Sequence, residues 1–353
     1  MTPEAEALLR WYDAHRRSLP WRGVRDPYVT WVSEIMLQQT RVETVIPYFE
    51  RFLRDYPDVA ALAAADEAGV LKHWEGLGYY SRARNLLAGA RQVAAEHGGR
   101  VSSDPAALRG IRGIGDYTAG AIRSIAFGQK AAAVDGNVIR VITRLAGITG
   151  NAASPSVRRE IAARAEALMP EERPGDFNQA LMDLGAGICA PGTPDCGACP
   201  LRPFCVACRE EIAEDLPVLP DRRPPVPEDW DVLLIRREGR MAVRRRSEAM
   251  LRGLWVFPMT EGHRRGAALR KAAAEASGLT LSGLTDLGEA RHVFTHRIWR
   301  MRLWLADAGD GTLPDGWQWA DAARIAALPF PTAMKKAREE ALLRLGQDTE
   351  TRG

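Results

Sequence analysis

The stretch Ile111-Arg112-Gly113-Ile114-Gly115-Asp116-Tyr117-Thr118-Ala119 decides the fold of the N-terminal half of the chain. Patterns typical of helices flank it on both sides. Gly113 and Gly115 allow a tight turn whose backbone N–H groups point outward, and the next helix begins at once, so its positive end faces the same way. This arrangement suits a phosphate group. Taken alone, the stretch could also be a plain corner between two helices. Because no strand precedes it, it does not indicate a dinucleotide-binding fold.

Helix-like spacing of apolar residues extends from this turn over most of residues 1–180. Gly, Pro and Asp residues separate the segments, and alternating strand patterns are scarce. We therefore predict an all-α domain over residues 1–208, which includes a cysteine-rich loop at 189–208. A proline-rich, semi-rigid linker is predicted at 209–228. Residues 229–353 combine short strand-like runs with two helical segments, which predicts a smaller α+β domain.

The charge of the chain is unevenly distributed. Its 353 residues include 48 basic and 45 acidic ones, and a net charge of +3 does not by itself indicate a polyanionic partner. Residues 236–302, however, contain 15 basic and 6 acidic residues, a local excess that favours such a partner. No run approaches about 18 apolar residues, and the first residues lack an apolar signal segment. We therefore expect a cytoplasmic protein that does not enter a membrane.

The cysteines form one cluster, since all five lie within residues 189–208. Such clustering in a cytosolic chain indicates a metal site rather than disulfides. The spacing Cys189-x6-Cys196-x2-Cys199-x5-Cys205 lets four thiolates converge on one centre, and thiolates select zinc or an iron–sulfur cluster. Zinc ribbons usually pair two short cysteine knuckles, which favours iron–sulfur here, but the spacing alone leaves both open. Cys208 lies outside this spacing, and we interpret it as a spare.

Two carboxylates lie in apolar surroundings. Glu34 is the one carboxylate inside the helical run 31–40. Burial would raise its pKa and make it a general acid at neutral pH, whereas the plainer interpretation is an exposed helix residue. Asp135 directly precedes a predicted helix, so it is either an N-cap or a carboxylate placed where an oxocarbenium ion develops. In the second case it is one half of a two-carboxylate glycosidic mechanism.

These features occur in a fixed order with further motifs. The motifs are Leu19-Pro20-Trp21-Arg22, Glu34–Thr40, Gly76–Asn85, the 111–119 turn, Val134–Val138, Phe177–Ala180 and the four spaced cysteines. In this order the sequence resembles the MutY-type adenine DNA glycosylases of the helix–hairpin–helix superfamily, closely over residues 5–210 and more weakly over the rest. The resemblance implies a monofunctional base excision repair enzyme. Such an enzyme removes adenine mispaired with 8-oxoguanine or guanine in duplex DNA after flipping the adenine out of the stack.

The resemblance also implies roles for residues of this chain. Glu34 would protonate adenine at N7, Asp135 would stabilise the sugar oxocarbenium ion, and Tyr117 and Asn137 would support them. Trp21, Arg22 and Gln179 would line the adenine pocket. The residues expected to contact DNA or 8-oxoguanine are Leu37, Gln38, Gln39, Thr40, Tyr79, Gly113, Gly115, Thr118, Phe294, Thr295 and His296. Among these, Gln39 and Tyr79 would wedge into the duplex beside 8-oxoguanine, which offsets the cost of unstacking.

The resemblance further implies a 4Fe–4S cluster on Cys189, Cys196, Cys199 and Cys205, which would serve structure and DNA contact. It implies a monomer that associates with the bacterial nucleoid. Two positions carry particular information. Endonuclease III-type lyases have a nucleophilic lysine where this chain has Tyr117, and a tyrosine cannot form a Schiff base, so strong lyase activity is not expected. The family usually has proline where this chain has Arg112. The arginine removes a rigid φ and adds a charge near phosphate.

Residues 229–353 resemble the Nudix-like C-terminal domain of the same family, with Leu254–Pro258 as a matching segment. A Nudix hydrolase needs a helix dense in glutamate to hold magnesium, and the corresponding helix has one acid, Glu275. We therefore expect this domain to bind rather than hydrolyse. The segment 292–296 matches the family's Phe-Ser-His loop with Thr295 in place of serine, and its hydroxyl could hydrogen-bond 8-oxoguanine. A simple turn at a strand end is the plainer interpretation.

Three other functions compete with this one. Another glycosylase of the superfamily, for thymine mismatches or for damaged pyrimidines, is disfavoured by the second domain and Tyr117. A Nudix-type nucleotide pyrophosphatase is disfavoured by the missing glutamates. A non-catalytic iron–sulfur DNA-binding protein would not need the pairing of Glu34 with Asp135.

Overall fold

The elements of the fold fall into two units in the computed structural model, which describes residues 1–221 and 223–350. The first unit comprises Met1–Ala65 and Arg82–Asp221, and the second comprises Asp66–Ser81 with the C-terminal part of the chain. The domain limits predicted from the sequence remain a prediction. Sequence reasoning did not foresee that residues 66–81 group with the C-terminal part.

The helices are distributed over both units, and they are numbered here in chain order. They are α1 (Pro3–His15), α2 (Pro27–Leu37), α3 (Val42–Asp55), α4 (Val59–Ala64), α5 (Glu67–His73), α6 (Ser81–Glu96), α7 (Pro105–Gly110), α8 (Asp116–Ala121), α9 (Gly136–Ala146), α10 (Pro155–Leu168), α11 (Pro174–Gly187), α12 (Val206–Arg209), α13 (Gly266–Ser277), α14 (Ala322–Ala327) and α15 (Lys335–Glu350). A π-helical turn, Ile122–Ala126, follows α8 directly.

Local sequence explains where several helices of the first unit begin. Asp26 accepts hydrogen bonds from the backbone N–H groups of Tyr28 and Val29 at 2.7 and 3.1 Å, which caps α2. Asp104 and Ser154 cap α7 and α10 in the same way. A proline follows each of these caps, and its fixed φ suits the first helical position, where no N–H donor is needed.

A shared apolar core holds α1, α9 and α11 together. Leu8, Ile142 and Leu181 are almost fully buried in it, and Cys189 lies at its margin. The start of α9, which carries Asp135, and the face of α11 that carries Gln179 are therefore fixed by the same packing. Burial of such side chains contributes about 1.5–3 kcal/mol each, which makes this core a rigid support for the site.

The second unit is built on a mixed seven-stranded sheet. Its strands are β1 (Val226–Arg237), β2 (Arg240–Arg245), β3 (Trp255–Val256), β4 (Met259–Glu261), β5 (Leu279–Val293), β6 (Arg297–Gly311) and β7 (Trp317–Ala320). The strand order is β3-β2-β1-β6-β5, with β4 on β1 and β7 on β2. The β1–β6 pair is parallel, whereas the other pairs are antiparallel.

Helices cover both faces of this sheet. On one face Leu269 and Ala273 of α13 pack against Leu233 and Trp304. On the other face Ala337 and Ala341 of α15 pack in a larger core. The turn between β5 and β6 brings Phe294, Thr295 and His296 to one end of the sheet, where the N–H of Phe294 donates to the carbonyl of Arg297 at 2.8 Å.

The predicted fold class, a helical domain followed by an α+β domain, is confirmed. Two details differ from the sequence patterns. The sequence predicts a short strand at 292–294, whereas β5 covers Leu279–Val293, and α14 is not predicted at all. Neither segment has a regular spacing of apolar residues that would predict it, and most side chains of β5 are partly or fully exposed. In the described ranges, 1–221 and 223–350, no helix has the length and apolar character required to cross a bilayer.

Candidate active site

Glu34, which is buried, pairs with the half-buried Tyr117 in the first unit. Glu34 lies on α2 with 5% of its surface exposed, and the Tyr117 hydroxyl on α8 donates a hydrogen bond to its Oε2. Burial raises the pKa of Glu34 to about 7, although the hydrogen bond from Tyr117 and the charge of Arg22 act to lower it. At neutral pH a substantial fraction of Glu34 therefore carries a proton, as a general acid requires.

Asp135 is the N-cap of α9, and its charge also acts on Glu34. Its carboxylate accepts hydrogen bonds from the N–H of Val138 at 2.7 Å and from Nδ2 of Asn137 at 2.9 Å. Burial raises the pKa of Asp135, these hydrogen bonds oppose the shift, and its charge in turn raises the pKa of Glu34. The two interpretations of Asp135 are therefore compatible, because the capping bonds hold the carboxylate in one orientation inside the site.

Arg22 and Gln179 are in contact beside this pair. The Nε of Arg22 donates to Oε1 of Gln179 at 3.3 Å, and its guanidinium lies over the Tyr12 ring at 5.3 Å. Trp21 is 8% exposed, and its ring meets Phe49 edge to face at 5.1 Å. The three residues predicted for the adenine pocket thus come from the 19–22 turn and from α11.

Asp183 fixes the guanidinium of Arg22, and sequence reasoning did not single it out. Its carboxylate accepts from Arg22 Nη1 at 2.6 Å and from Arg17 Nη2 at 2.5 Å, and only 5% of its side chain is exposed. Asp183 lies four residues after Gln179 on α11, so both face the 19–22 turn. In the sequence, its place one helical turn after Gln179 is the one local signal, and this does not reveal its arginine partners.

The end of α2 carries the predicted DNA-contact residues Leu37, Gln38, Gln39 and Thr40. Gln39 has φ +56°, a left-handed conformation that is uncommon for residues other than glycine. The buried guanidinium of Arg82 donates to the carbonyls of Ile35 and Met36 at 2.7 and 2.9 Å, and to Thr40 Oγ1 at 3.0 Å. Arg82 therefore satisfies the open carbonyls of the helix end and fixes this turn.

Residues 111–115 form the turn between α7 and α8, as predicted, and residues 116–119 are the first residues of α8. Gly113 has φ +89°, and a Cβ there would stand 2.9 Å from Cβ of Asn85, so the position requires glycine. Gly113 and Gly115 are exposed, whereas Thr118 is 1% exposed and packs inward. The backbone N–H of Arg112 donates to Oε1 of Gln92 at 3.0 Å, a bond that the proline usual in the family could not make.

A cleft of about 940 Å³ lies beside this turn. Tyr117 and Val134 are among its lining residues, so it is continuous with the neighbourhood of Glu34 and Asp135. Four arginines line it: Arg109, Arg123, Arg158 and Arg159. Asp116 and Glu166 also line the cleft, so the four arginines leave an excess of two positive charges, which favours a polyanion.

The second unit contains the other predicted contact residues. The hydroxyls of Tyr79 and Thr295 lie 3.1 Å apart. Phe294 packs edge to face against Trp299 at 5.0 Å, whereas Thr295 and His296 are exposed at the tip of the turn. Of the predicted site residues, the structure therefore groups Glu34, Tyr117, Asp135, Asn137 and Arg22 in the first unit and pairs Tyr79 with Thr295 in the second.

The cysteine loop follows α11, and all five cysteines are free thiols. Arg144 donates to Cys189 Sγ at 3.4 Å and to the carbonyls of Ala190 and Gly192, so it ties the loop to α9. Cys205 caps α12. Burial, with smaller contributions from neighbouring thiols, raises the pKa of Cys196 and of Cys199 to about 11.

These residues fit a group bound by several thiolates. Backbone N–H groups after Cys199 and Cys205 point at their sulfurs, and a guanidinium donates to Cys189, so thiolate charge is compensated once protons are released on binding. Within residues 1–221 and 223–350, no group of three or more His, Cys, Asp or Glu side chains is placed so that it could hold a metal ion, so the site on the four cysteines stays a prediction.

The class of the protein is a base excision DNA repair protein of the helix–hairpin–helix type. It is indicated by the helical fold, the glycine turn and the buried Glu34 near Asp135, which caps α9. The family described as HhH-GPD superfamily base excision DNA repair protein matches residues 32–167, and the NUDIX domain family matches residues 231–340. The chain is 35% identical to adenine DNA glycosylase of Mus musculus, over 93% of this chain and 76% of that protein. It is 35% identical to the Homo sapiens adenine DNA glycosylase, over 94% of this chain and 72% of that one.

Solved structures agree with this class. A thermostable thymine-DNA glycosylase is 33% identical with a TM-score of 0.53, over 58% of this chain and 95% of that one. A trapped endonuclease III–DNA covalent intermediate, at 21% identity and a TM-score of 0.51 over 60% of this chain and 99% of that one, shows the shared fold. The chain belongs to the adenine DNA glycosylase family, a family of base excision repair enzymes, which confirms the resemblance predicted from the sequence.

Proposed function

We propose that the protein is a monofunctional glycosylase that releases adenine mispaired with 8-oxoguanine or guanine in duplex DNA. The observation that carries the proposal is the pairing of the buried Glu34 with Tyr117 near Asp135, which caps α9. An acid with a pKa near neutrality thus feels the charge of a second carboxylate, as a two-carboxylate glycosidic mechanism requires. The two relatives reported above are named adenine DNA glycosylases, which supports adenine as the base released.

The chemistry follows from the two environments. Protonated Glu34 transfers its proton to N7 of the flipped adenine, the N-glycosidic bond breaks, and its electron pair goes to the departing base, which leaves neutral. The Asp135 carboxylate would stabilise the positive charge that develops on the sugar, and water then adds to C1′ and gives its proton to the Glu34 carboxylate, which restores the acid. Asn137 holds Asp135 through the 2.9 Å hydrogen bond. Because Tyr117 occupies the position of the lyase lysine, no Schiff base forms and the product is an abasic site.

The adenine pocket is assigned to Trp21, Arg22 and Gln179. Trp21 offers an aromatic surface, and the bond from Arg22 to Gln179 orients the Gln179 amide. Flipping the base costs a few kcal/mol of stacking, which Gln39 and Tyr79 would offset by entering the duplex. We assign DNA contact to the exposed glycines of the turn and to residues near it in the chain or at the end of α2: Gly113, Gly115, Thr118, Leu37, Gln38 and Thr40. The arginine-lined cleft would hold phosphates.

The second unit is assigned to reading the base opposite adenine, through Phe294, Thr295 and His296. Its helix α13 carries one acid, Glu275, whose side chain is 67% exposed and faces Lys271 at 3.9 Å. A magnesium-dependent hydrolase needs several converging carboxylates. We therefore assign binding, not hydrolysis, to this unit.

Cys189, Cys196, Cys199 and Cys205 would hold a 4Fe–4S cluster. When bound, the cluster supplies structural support and a contact surface for DNA, and none of the steps above passes through it. Arg144, which reaches Cys189 and two loop carbonyls, would keep the loop in place next to α9. We propose a monomer acting on nucleoid DNA in the cytoplasm.

The proposal is tested with duplexes that carry adenine opposite 8-oxoguanine, guanine or thymine, followed by alkali to cleave abasic sites. We expect cleavage of the adenine strand opposite 8-oxoguanine and, more slowly, opposite guanine. Without alkali the strand should stay intact, because the enzyme is not a lyase. The Glu34→Gln variant should bind the same duplex and release no base. No adenine-strand cleavage opposite 8-oxoguanine would disprove the proposal.

A further inference from the structure

Residues 66–81, here called the 66–81 segment, belong to the same compact unit as the C-terminal sheet. The segment begins with α5, in which Leu71 is fully buried, and Trp74 just after α5 is also fully buried. It ends with Tyr79 and Tyr80. Tyr79, which is expected to enter the duplex beside 8-oxoguanine, therefore belongs to a segment that packs into the second unit.

Ionic and hydrogen bonds anchor the middle of the 66–81 segment. Glu75 accepts from Lys72 Nζ at 2.5 Å and from Arg338 Nη1 of α15 at 2.6 Å. Lys72 Nζ also donates to the carbonyls of Ala326 and Leu328, and Arg338 Nη2 donates to the carbonyl of Ala326 at 2.8 Å. Only about a fifth of the Glu75 and Arg338 side chains is exposed. Partial burial and shared acceptors make this pair stronger than a typical surface ion pair.

The turn after this anchor holds Tyr79 in an uncommon backbone conformation. Gly76 and Gly78 have φ of +107° and +74°, and Tyr79 itself has φ +48°. A left-handed conformation costs a bulky residue roughly 1–2 kcal/mol, so it persists only where the surroundings enforce it. The Trp74 indole donates to the carbonyl of Gly78 at 3.2 Å, which links the turn to the buried part of the segment.

This conformation places the Tyr79 hydroxyl 3.1 Å from the Thr295 hydroxyl. A threonine hydroxyl that has no fixed neighbour rotates freely and can both donate and accept. The partner hydroxyl of Tyr79 restricts that rotation. Thr295 stands at an exposed turn tip, so the phenol fixes a group that would otherwise adopt several orientations.

We propose that the Glu75–Arg338 pair, reinforced by Lys72, holds Tyr79 against Thr295, so that the two hydroxyls form one preassembled element that recognises the oxidised base. Arg338 and Lys72 are then positioning residues for specificity, which act through Tyr79. This inference rests on the proposed function, because it assumes that the second unit reads the base opposite adenine. It adds that the preference for 8-oxoguanine depends on an ion pair that touches neither base.

The test compares Arg338→Gln with Arg344→Gln as a matched control. Arg344 lies on the same helix, pairs with Glu340, and is 22% exposed against 21% for Arg338. Rates of adenine release with enzyme in excess are measured opposite 8-oxoguanine and opposite guanine. We expect Arg338→Gln to lower the ratio of the two rates about tenfold, the effect of roughly one hydrogen bond, and Arg344→Gln to leave it unchanged.

The ratio separates positioning from general destabilisation. A variant that only misfolds in part loses active molecules for both substrates equally, so its ratio does not move. Arg338→Lys, which keeps the charge, should restore much of the ratio, and Glu75→Gln combined with Arg338→Gln should be no worse than Arg338→Gln alone. If Arg338→Gln does not fold, Lys72→Met and Glu75→Gln serve in its place with the same expectation.

Tyr79→Phe tests the hydroxyl contact itself. It keeps the ring and removes only the hydroxyl that meets Thr295 at 3.1 Å, and we expect it to lower the same ratio. An unchanged ratio in both Arg338→Gln and Tyr79→Phe would overturn the inference while leaving the proposed function intact. If the wild-type protein released no adenine, the proposed function itself would fail, so the two failures are distinguishable.

Discussion

The hydroxyl of Tyr117 donates a hydrogen bond to the carboxylate of Glu34, although the two residues are 83 positions apart in the chain. The bond stabilises the ionised form of Glu34, whereas burial favours the protonated form, and burial wins. The balance leaves the pKa of Glu34 at about 7. The pair therefore tunes the acid to a pH near neutrality.

Replacing Tyr117 by Phe should shift the pH dependence of base release. With Glu34 as the acid, the rate falls as pH rises through about 7, because the proton is lost. Tyr117→Phe removes a hydrogen bond that lowers the pKa of Glu34, so the falling limb should move to higher pH. The check is the rate of adenine release with enzyme in excess between pH about 5 and about 9. A limb that stays in place would show that Tyr117 does not act on Glu34.

Glu34→Gln should stabilise the protein at high pH while abolishing activity. The folded-state pKa of Glu34 is raised from 4.5 to about 7, so above pH 7 the folded state must ionise a buried carboxyl. The cost appears as pH rises from 4.5 to 7 and reaches about 3 kcal/mol. Glutamine does not ionise and still accepts from Tyr117.

The measurement is chemical unfolding of both proteins at pH about 4.5 and about 8, close to the two ends of that pKa range. Glu34→Gln should be the more stable protein at the higher pH and nearly equal to wild type at the lower one. The same difference at both pH values would mean that Glu34 does not carry the raised pKa.

Asp183→Asn should weaken the adenine pocket. Asp183 is the shared acceptor of Arg17 and Arg22, and breaking a buried charge pair costs about 3–5 kcal/mol. The charge of Arg22 lowers the pKa of Glu34, so freeing Arg22 from Asp183 should also move the falling limb of the pH–rate profile to lower pH. Asp176→Asn is the matched control, because Asp176 lies on the same helix and pairs with Arg173. Equal effects of the two substitutions would rule out a specific role for Asp183.

The sequence could supply the fold class, the family and the site residues that fall within recognisable motifs. Glu34 can be identified because it is the one carboxylate in an apolar helical run, and Asp135 because it directly precedes a predicted helix. Asp183 is not visible in the same way, because its partners Arg17 and Arg22 are 166 and 161 residues away and no local pattern links them. Such pairs depend on the packing of α1 and α11, which only the folded chain shows.

The 66–81 segment illustrates a second limit. Its helical pattern matches its neighbours in the chain, so sequence reasoning assigns it to the helical domain. Its partners Ala326, Leu328 and Arg338 lie more than 250 residues away, and two of the three contacts use backbone carbonyls, which carry no sequence signal. Strand β5 is similar, since its exposed side chains do not alternate clearly and its place is set by pairing with β6.

Serine substitutions should divide the five cysteines into four ligands and one bystander. Replacing Cys189, Cys196, Cys199 or Cys205 removes a thiolate from the proposed cluster, so each variant should lose iron, sulfide and visible absorbance. Cys208→Ser should keep iron, sulfide and absorbance. It is therefore the control for the effect of a cysteine-to-serine change at a position that is not a ligand. Metal analysis of the purified protein also decides between zinc and iron. Loss of iron from Cys208→Ser would place Cys208 among the ligands.

Thr295→Ala should reduce the preference for 8-oxoguanine over guanine, and Thr295→Ser should retain it. Thr295 is exposed, so neither change should alter stability by more than about 0.5 kcal/mol. The hydroxyl is the only group that alanine lacks and serine keeps, since both lose the methyl. A ratio that falls about tenfold in Thr295→Ala and stays near wild type in Thr295→Ser would therefore assign the discrimination to one hydrogen bond. If both variants kept the wild-type ratio, the hydroxyl would have no part in reading the base, and the 3.1 Å contact with Tyr79 would serve only to hold the turn between β5 and β6.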